Sequence, residues 1–306
     1  MNYRELVAAL TPQHGHGEAR AIVRMVMEER FGLSLADLLL GKDTQLSSHD
    51  RAEFEKIAQQ LLAGVPVQHI LGYADFCGHR FRVTPEVLIP RPETEELTRL
   101  AINEFNHQSS IPSSPSGKSE GDFSTSILDL CTGSGCIAIA LALAFPEAQV
   151  TAVDVSAAAL AVARENAATL GASNVTFRQQ DILNIGEFRS AQSDGSHLKN
   201  HQSSFSLLVS NPPYIRASEA SEMSPTVLDH EPSLALFVPD SDALCFYHAI
   251  ARIGLEVLVE WGVVWVELNT ALAEATRRLF LEAGYKDVAV TADQFSRPRF
   301  LRAVRP

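Results

Sequence analysis

The stretch Ile127-Leu-Asp129-Leu-Cys-Thr-Gly133-Ser-Gly135-Cys-Ile-Ala-Ile-Ala-Leu-Ala-Leu-Ala-Phe145 decides the fold. Ile127–Cys131 is a short apolar run of strand length, and the longer apolar run Ile137–Phe145 reads as a helix. The two glycines between them allow a tight strand-to-helix turn and a close approach of a ligand to the backbone. The pattern then repeats. Apolar runs at Val150–Val155, Val175–Gln179, Leu207–Ser210, Val263–Leu268, Val288–Thr291 and Phe300–Val304 alternate with helical patterns at Ala157–Leu170, Ala243–Val259 and Ala271–Ala283. Such alternation predicts an α/β fold with a seven-stranded, mostly parallel sheet and helices on both faces. Only Asp293–Arg299 separate the last two runs. A parallel crossover needs about a dozen residues or more, so the last strand is expected to be antiparallel.

Upstream of this stretch the character changes twice. Residues 1 to about 70 carry apolar residues at helical spacing, among them Leu6, Leu10, Ile22, Val23, Val26, Phe54, Ile57 and Leu61. Breaks fall near Gly15-His16-Gly17, at Phe31-Gly32 and between Asp43 and Ser48. A small helical bundle fits, either as a packing module or as a partner-recognition module. Residues 71 to 92 hold Phe76, Phe81, Val83 and Val87 with Gly72 and Gly78 between them, which suggests a β-hairpin linker. Pro92, with Glu93 and Glu95 behind it, suits the first turn of a helix. Residues 107–124 and 189–204 are rich in Ser, Pro and Gly and read as flexible surface loops.

Composition limits the function. Of 306 residues, 46% are hydrophobic and 20% charged, as in an ordinary globular protein. The net charge of −12 argues against a broad nucleic-acid surface, which needs clustered cations to meet phosphates. Cys77, Cys131, Cys136 and Cys245 form neither a CxxC pair nor a zinc pattern, so no metal is expected and a reducing cytoplasm is the simplest setting. The start, MNYRELVAAL, lacks the features of a signal peptide, and the apolar run Cys136–Phe145 is too short to span a bilayer.

The chemistry gathers at strand ends. Asp129 precedes the glycine turn Thr132-Gly133-Ser134-Gly135-Cys136, where a carboxylate would suit a cationic ligand better than a pyrophosphate. Asp154 ends the second strand, where a carboxylate can take both hydroxyls of a ribose, and Ser156 reads as the cap of the next helix. Asp181 follows the third strand; it can cap a local turn or accept from an adenine amino group, with Ile182 packing on the ring. The fourth strand runs into Asn211-Pro212-Pro213-Tyr214. The prolines end the strand and stiffen the loop. The Asn211 side-chain oxygen and the Pro212 carbonyl can accept from a planar nitrogen group, and Tyr214 offers a stacking face.

Asp129-x-x-x-Gly133-x-Gly135, Asp154, Asp181 and Asn211-Pro-Pro-Tyr214 together resemble the seven-stranded S-adenosylmethionine-dependent methyltransferases, in particular those that methylate planar nitrogens. Gly64-Val-Pro-Val-Gln-His-Ile-Leu-Gly72, Phe76-Cys-Gly78, Val87-Leu-Ile-Pro-Arg-Pro-Glu-Thr-Glu95, Glu231-Pro232 and Ala235-Leu236 are similar to the release-factor glutamine methyltransferases. That resemblance implies S-adenosylmethionine as cofactor and, as substrate, the Gln side-chain nitrogen in the Gly-Gly-Gln loop of class 1 peptide chain release factors. It implies cofactor contacts from Asp129, Thr132, Gly133, Ser134, Gly135, Cys136, Asp154, Asp181, Ile182 and Asn211. Substrate contacts would come from Asn211, Pro212, Pro213 and Tyr214, with Asn211, Pro212 and Tyr214 catalytic. The expected organisation is a helical partner-recognition domain over 1–72, a hairpin linker over 73–91 and a methyltransferase domain over 92–306, acting as a monomer. His69 and Glu267-Leu-Asn-Thr-Ala depart from the commonest family form, and neither is expected to touch the methyl-transfer residues. An N6-adenine methyltransferase of DNA or RNA is the alternative, opposed by the acidic charge. A non-catalytic binding module is the other, opposed by the intact Asn211, Asp154 and glycines.

Overall fold

The computed structural model describes residues 1–109, 126–184 and 205–306. The two Ser-rich stretches expected as loops lie outside them, apart from the first few residues of the earlier one. The chain divides into two compact units. One comprises Met1–Tyr73, Val83–Pro85 and Met223–Glu231; the other comprises Ala74–Arg82, Glu86–Glu222 and Pro232–Pro306.

The first unit is helical: α1 (Tyr3–Phe31), α2 (Leu35–Leu39), α3 (Ser48–Leu62) and α4 (Val67–Leu71). Asn2 opens α1 with a reciprocal capping box to Glu5, which satisfies two otherwise orphaned N–H groups. Gly15, at φ 75°, kinks the helix where a break was expected, and Gly32 ends it in the left-handed conformation. Leu6, Leu10, Val23, Val26, Met27 and Phe54 are buried together, and Phe31 meets Phe54 edge to face at 5.9 Å. The segment Met223–Glu231, with the short helix Pro225–His230, joins this unit from far along the chain. Nothing in its local pattern signals that placement.

The hairpin pairs β1 (Tyr73–Phe76) with β2 (His79–Arg82), and α5 (Pro92–Ser109) follows with Pro92 in its first turn. Then come β3 (Ser126–Leu130), α6 (Cys136–Ala144), β4 (Gln149–Asp154), α7 (Ala157–Leu170), β5 (Val175–Gln179), β6 (Phe205–Ser210), β7 (Ile215–Arg216), α8 (the helix Pro225–His230), β8 (Phe237–Val238), α9 (Cys245–Val257), β9 (Leu258–Glu267), α10 (Ala273–Glu282), β10 (Lys286–Ala292) and β11 (Pro298–Val304). Seven strands form one sheet in the order β10-β11-β9-β6-β3-β4-β5. β11 runs antiparallel to both its neighbours, as its short connection requires, and the other neighbouring pairs are parallel. Ile127, Leu207 and Val209 face a core closed by α5 and α6. Their alternates Leu128, Leu130 and Leu208 face a second core closed by α9 and α10. That is the period-two alternation of a sheet covered on both sides. The strand order reverses between β3 and β6, so a crevice opens beyond their carboxyl ends.

Two buried side chains shape the turn that borders this crevice. Asp129, fully buried, accepts from Thr132 Oγ1 at 2.5 Å and from the Ala138 N–H at 3.2 Å. Burial pushes its carboxyl up to about 7 against those stabilising bonds. Asn166 on α7 accepts from the Arg82 N–H at 2.7 Å and donates to the carbonyls of Arg82 at 3.1 Å and Ser134 at 2.9 Å. It thereby ties the hairpin to the glycine turn. Gly135 has φ 81°, and a Cβ there would lie 2.9 Å from Ile139 Cδ1 and 3.0 Å from Ala163 Cβ. Only glycine fits both the backbone and the packing.

Asn166→Ala leaves these backbone groups unpaired and should lower the unfolding free energy by about 2 kcal/mol or more, measured by urea denaturation. For Asp129, folding raises the carboxyl from 3.8 to about 7. Between those values the folded protein keeps a proton that the unfolded chain has lost, so this group's contribution to stability falls as pH rises. Urea unfolding at pH 5 and 7.5 should show wild type losing stability relative to Asp129→Asn; a difference independent of pH would contradict the assignment.

Candidate active site

A cavity of 410 Å³ lies beyond the carboxyl ends of β3 to β6. That volume is in the range of small-molecule sites. Gly133 reaches it after β3, Asp154 at the end of β4, Asp181 and Ile182 after β5, and Asn211 and Pro213 after β6. Val87, Leu88, Leu234 and Ala235 supply apolar wall. Its ionisable carboxylates are Glu86, Asp154 and Asp181, and no Lys, Arg or His lines it among the described residues. Such a wall repels phosphate and favours a neutral or cationic ligand.

The strand-end carboxylates are held by backbone. Asp154 accepts from the Gly133 N–H at 2.8 Å through one oxygen and from the Ser156 N–H at 2.9 Å through the other. Each oxygen keeps a lone pair for a ligand hydroxyl. Burial raises the Asp154 carboxyl, and the N–H bonds oppose that rise. Ser156 caps α7 through a bond from the Ala159 N–H, as expected. Asp181 accepts from the Leu183 N–H at 2.9 Å and from the Asn184 amide, so it does cap a local turn. It lines the cavity as well, beside the buried Ile182.

Five of the cofactor candidates stand elsewhere. Asp129, Thr132, Ser134, Gly135 and Cys136 are not on the cavity wall. The expectation that Asp129 faces a cationic ligand is corrected: its carboxylate lies under the turn, bonded to Thr132 and Ala138. The cause is the two-residue alternation of β3, which turns Asp129 to the α6 face. Asp129 and Thr132 therefore shape the turn that presents Gly133.

The Asn211 loop is anchored from below. Ser210 Oγ donates to the Leu130 carbonyl at 2.7 Å, fastening the end of β6 to β3. Asn211 Nδ2 donates to Thr94 Oγ1 at 2.9 Å, and Thr94 Oγ1 donates to Glu267 Oε2 at 2.7 Å. Tyr214 Oη donates to the other Glu267 oxygen at 2.9 Å. Glu267 is 2% exposed, and burial raises its carboxyl while these two bonds oppose the rise. Two expectations are corrected here. The Tyr214 ring is not on the cavity wall but packs against the core beneath α9, because its hydroxyl is drawn to Glu267. Glu267-Leu-Asn269 does touch the loop, since Asn269 Nδ2 also donates to the Tyr214 carbonyl at 3.0 Å. Pro212 and Pro213 are buried, and Pro213 reaches the cavity. Thr94 and Glu267 carried no assigned role in the sequence. The available signal was a lone carboxylate ending an otherwise apolar strand.

Residues 122–232 match a family described as methyltransferase domain, and residues 4–72 match the PrmC N-terminal domain family. A release factor glutamine methyltransferase of Bacteroides thetaiotaomicron is 41% identical over 288 residues, covering 94% of this chain and 93% of that protein. One of Flavobacterium psychrophilum is 35% identical over 302 residues, covering 98% and 97%. The crystal structure of a release factor-specific protein-(glutamine-N5) methyltransferase from Alicyclobacillus acidocaldarius aligns with a TM-score of 0.39 at 27% identity, covering 74% of this chain and 99% of that one. With relatives this similar along nearly its whole length, the chain belongs to the release factor glutamine methyltransferase family.

Proposed function

We propose that this protein transfers the methyl group of S-adenosylmethionine to the side-chain amide nitrogen of the Gln in the Gly-Gly-Gln loop of class 1 peptide chain release factors. The observation that carries the reading is Asn211, whose amide nitrogen is taken up by Thr94 at the rim of a cavity that carries three carboxylates and, among the described residues, no cation. The cavity suits a sulfonium cofactor with a ribose and a purine. Asp154 would take the ribose hydroxyls, Asp181 the adenine amino group, Ile182 the ring face, and Gly133 allows close approach of the backbone. A nucleic-acid substrate would bring phosphates that a net charge of −12 does not favour.

The bound cofactor supplies an electrophilic methyl group. An amide nitrogen is a weak nucleophile because its lone pair is delocalised into the carbonyl. Asn211 Oδ1 and the Pro212 carbonyl accept the two amide hydrogens of the glutamine. They aim its nitrogen and stabilise positive charge as it grows there, an interaction stronger in the transition state than before it. Asn211 does not titrate, so it cannot serve as a base and the proton leaves to water. Pro212 and Pro213 keep the loop from relaxing. The helical unit is assigned to recognition of the release factor, and the protein is taken to act as a cytoplasmic monomer. Among the described residues, no helix is long and apolar enough to cross a membrane.

Incubation with a release factor and S-adenosylmethionine, followed by peptide mass spectrometry, should place one methyl on the Gly-Gly-Gln glutamine; methyl elsewhere, or on DNA or RNA instead, overturns the substrate reading. Asn211→Ala should fold and bind cofactor yet lose about 10²-fold or more in turnover, as loss of an oxyanion-hole donor does. Asp154→Ala should weaken cofactor binding in calorimetry; unchanged affinity overturns the assignment of Asp154 to the ribose.

A further inference from the structure

A carboxamide is nearly symmetric in shape, so a half-turn about its last bond exchanges oxygen and nitrogen with little change in packing. The two orientations differ completely in chemistry. With its oxygen toward the substrate, Asn211 accepts from the glutamine amide; with its nitrogen there, donor faces donor and the amide is repelled. Something must choose, and the choice lies outside the cavity.

We infer that Thr94 and Glu267 are positioning residues that hold the Asn211 side-chain oxygen toward the substrate nitrogen. This rests on the function proposed above. Glu267 as a carboxylate has no proton to give, so it takes the single hydroxyl proton of Thr94, 2.7 Å away. Thr94 Oγ1 is then left with lone pairs alone on its remaining side. It can meet the Asn211 NH2, at 2.9 Å, but would repel the Asn211 oxygen. Tyr214 occupies the second Glu267 oxygen and holds the carboxylate in place. Thr94 is itself fixed in the first turn of α5, where its carbonyl accepts from Thr98 Oγ1 at 2.8 Å. Thr94 and Glu267 are 3% and 2% exposed, so water does not compete for these bonds. The chain of donors runs one way, from Asn211 through Thr94 to Glu267. Reversing it would need a proton on the carboxylate.

The test has two arms. In the first, the Asn211 side-chain NH2 is identified in 15N-labelled protein by its absence from Asn211→Ala. One of its protons should exchange with solvent about tenfold or more slowly in wild type than in Thr94→Val. Equal rates in the two proteins overturn the inference, whatever the activity. In the second, Thr94→Val should lower kcat on the release factor by about 10- to 100-fold, as removal of outer-shell partners commonly does, with the cofactor Kd unchanged. Thr94→Ser, which keeps the hydroxyl, should recover most of that loss. Added to Asn211→Ala, Thr94→Val should cost almost nothing more, because the group it orients is gone. A full additive loss, or no rescue by serine, would mean a general packing effect and sink the inference. Glu267→Gln, which can donate to Thr94 and release its proton toward Asn211, should also lower kcat; it serves if Thr94→Val does not fold. A wild-type protein that leaves release factors unmethylated refutes the substrate reading, while the exchange arm still decides the orientation of Asn211.

Discussion

A carboxylate removed from water must find hydrogen-bond donors, and in this protein that requirement shapes the whole upper edge of the sheet. Asp129, Asp154 and Glu267 stand on three strands, the first and last fully buried and Asp154 half-buried at the cavity, and their partners are N–H and O–H groups of neighbouring segments. Each of these bonds pins the segment that supplies its donor. Asp129 draws down Thr132 and the start of α6, Asp154 draws in Gly133 and Ser156, and Glu267 draws in Thr94 and Tyr214. The loops over the cavity are ordered by hydrogen bonds to these carboxyl groups.

The same groups explain why the cavity has its sign. Asp154 uses each oxygen once on a backbone N–H and keeps capacity for a ligand hydroxyl. With Asp181 beside it and no cation on the wall among the described residues, the site suits a sulfonium cofactor and disfavours a dinucleotide. A glycine turn of similar outline in a dinucleotide fold must accept pyrophosphate. The difference is made by side chains around the turn.

Glu267 links parts of the chain that are remote in sequence. Thr94 lies at the start of α5, Asn211 and Tyr214 after β6, and Glu267 at the end of β9. Their bonds join across the sheet a loop that two prolines already stiffen. Methyl transfer to a weakly nucleophilic amide depends on orientation, and a rigid loop is what orientation needs. The Tyr214 side chain takes part by anchoring, which is why it is not on the cavity wall.

Much of this was legible in the chain itself. The seven apolar runs, the glycine turn, the antiparallel last strand, the kink at Gly15 and the cap at Ser156 follow from local rules of period, turn geometry and capping, and all stand where those rules put them. The family motifs likewise lie in contiguous residues, from Ile89–Glu95 to Asn211–Tyr214. Less legible was which way a motif residue faces once its strand is paired. Asp129 and Asp154 both end strands, yet alternation and helix packing send one under the turn and leave the other on the cavity. Tyr214 follows Asn211 by three residues, yet one joins the core and the other the rim. The return of Met223–Glu231 to the helical unit left no local trace either. Sequence by itself determined the elements, the fold class and the chemistry on offer, because these depend on neighbours along the chain. The tertiary structure decided which carboxylate meets a ligand and which braces a loop, because that depends on donors, such as Thr94 for Glu267, that only folding brings within bonding distance.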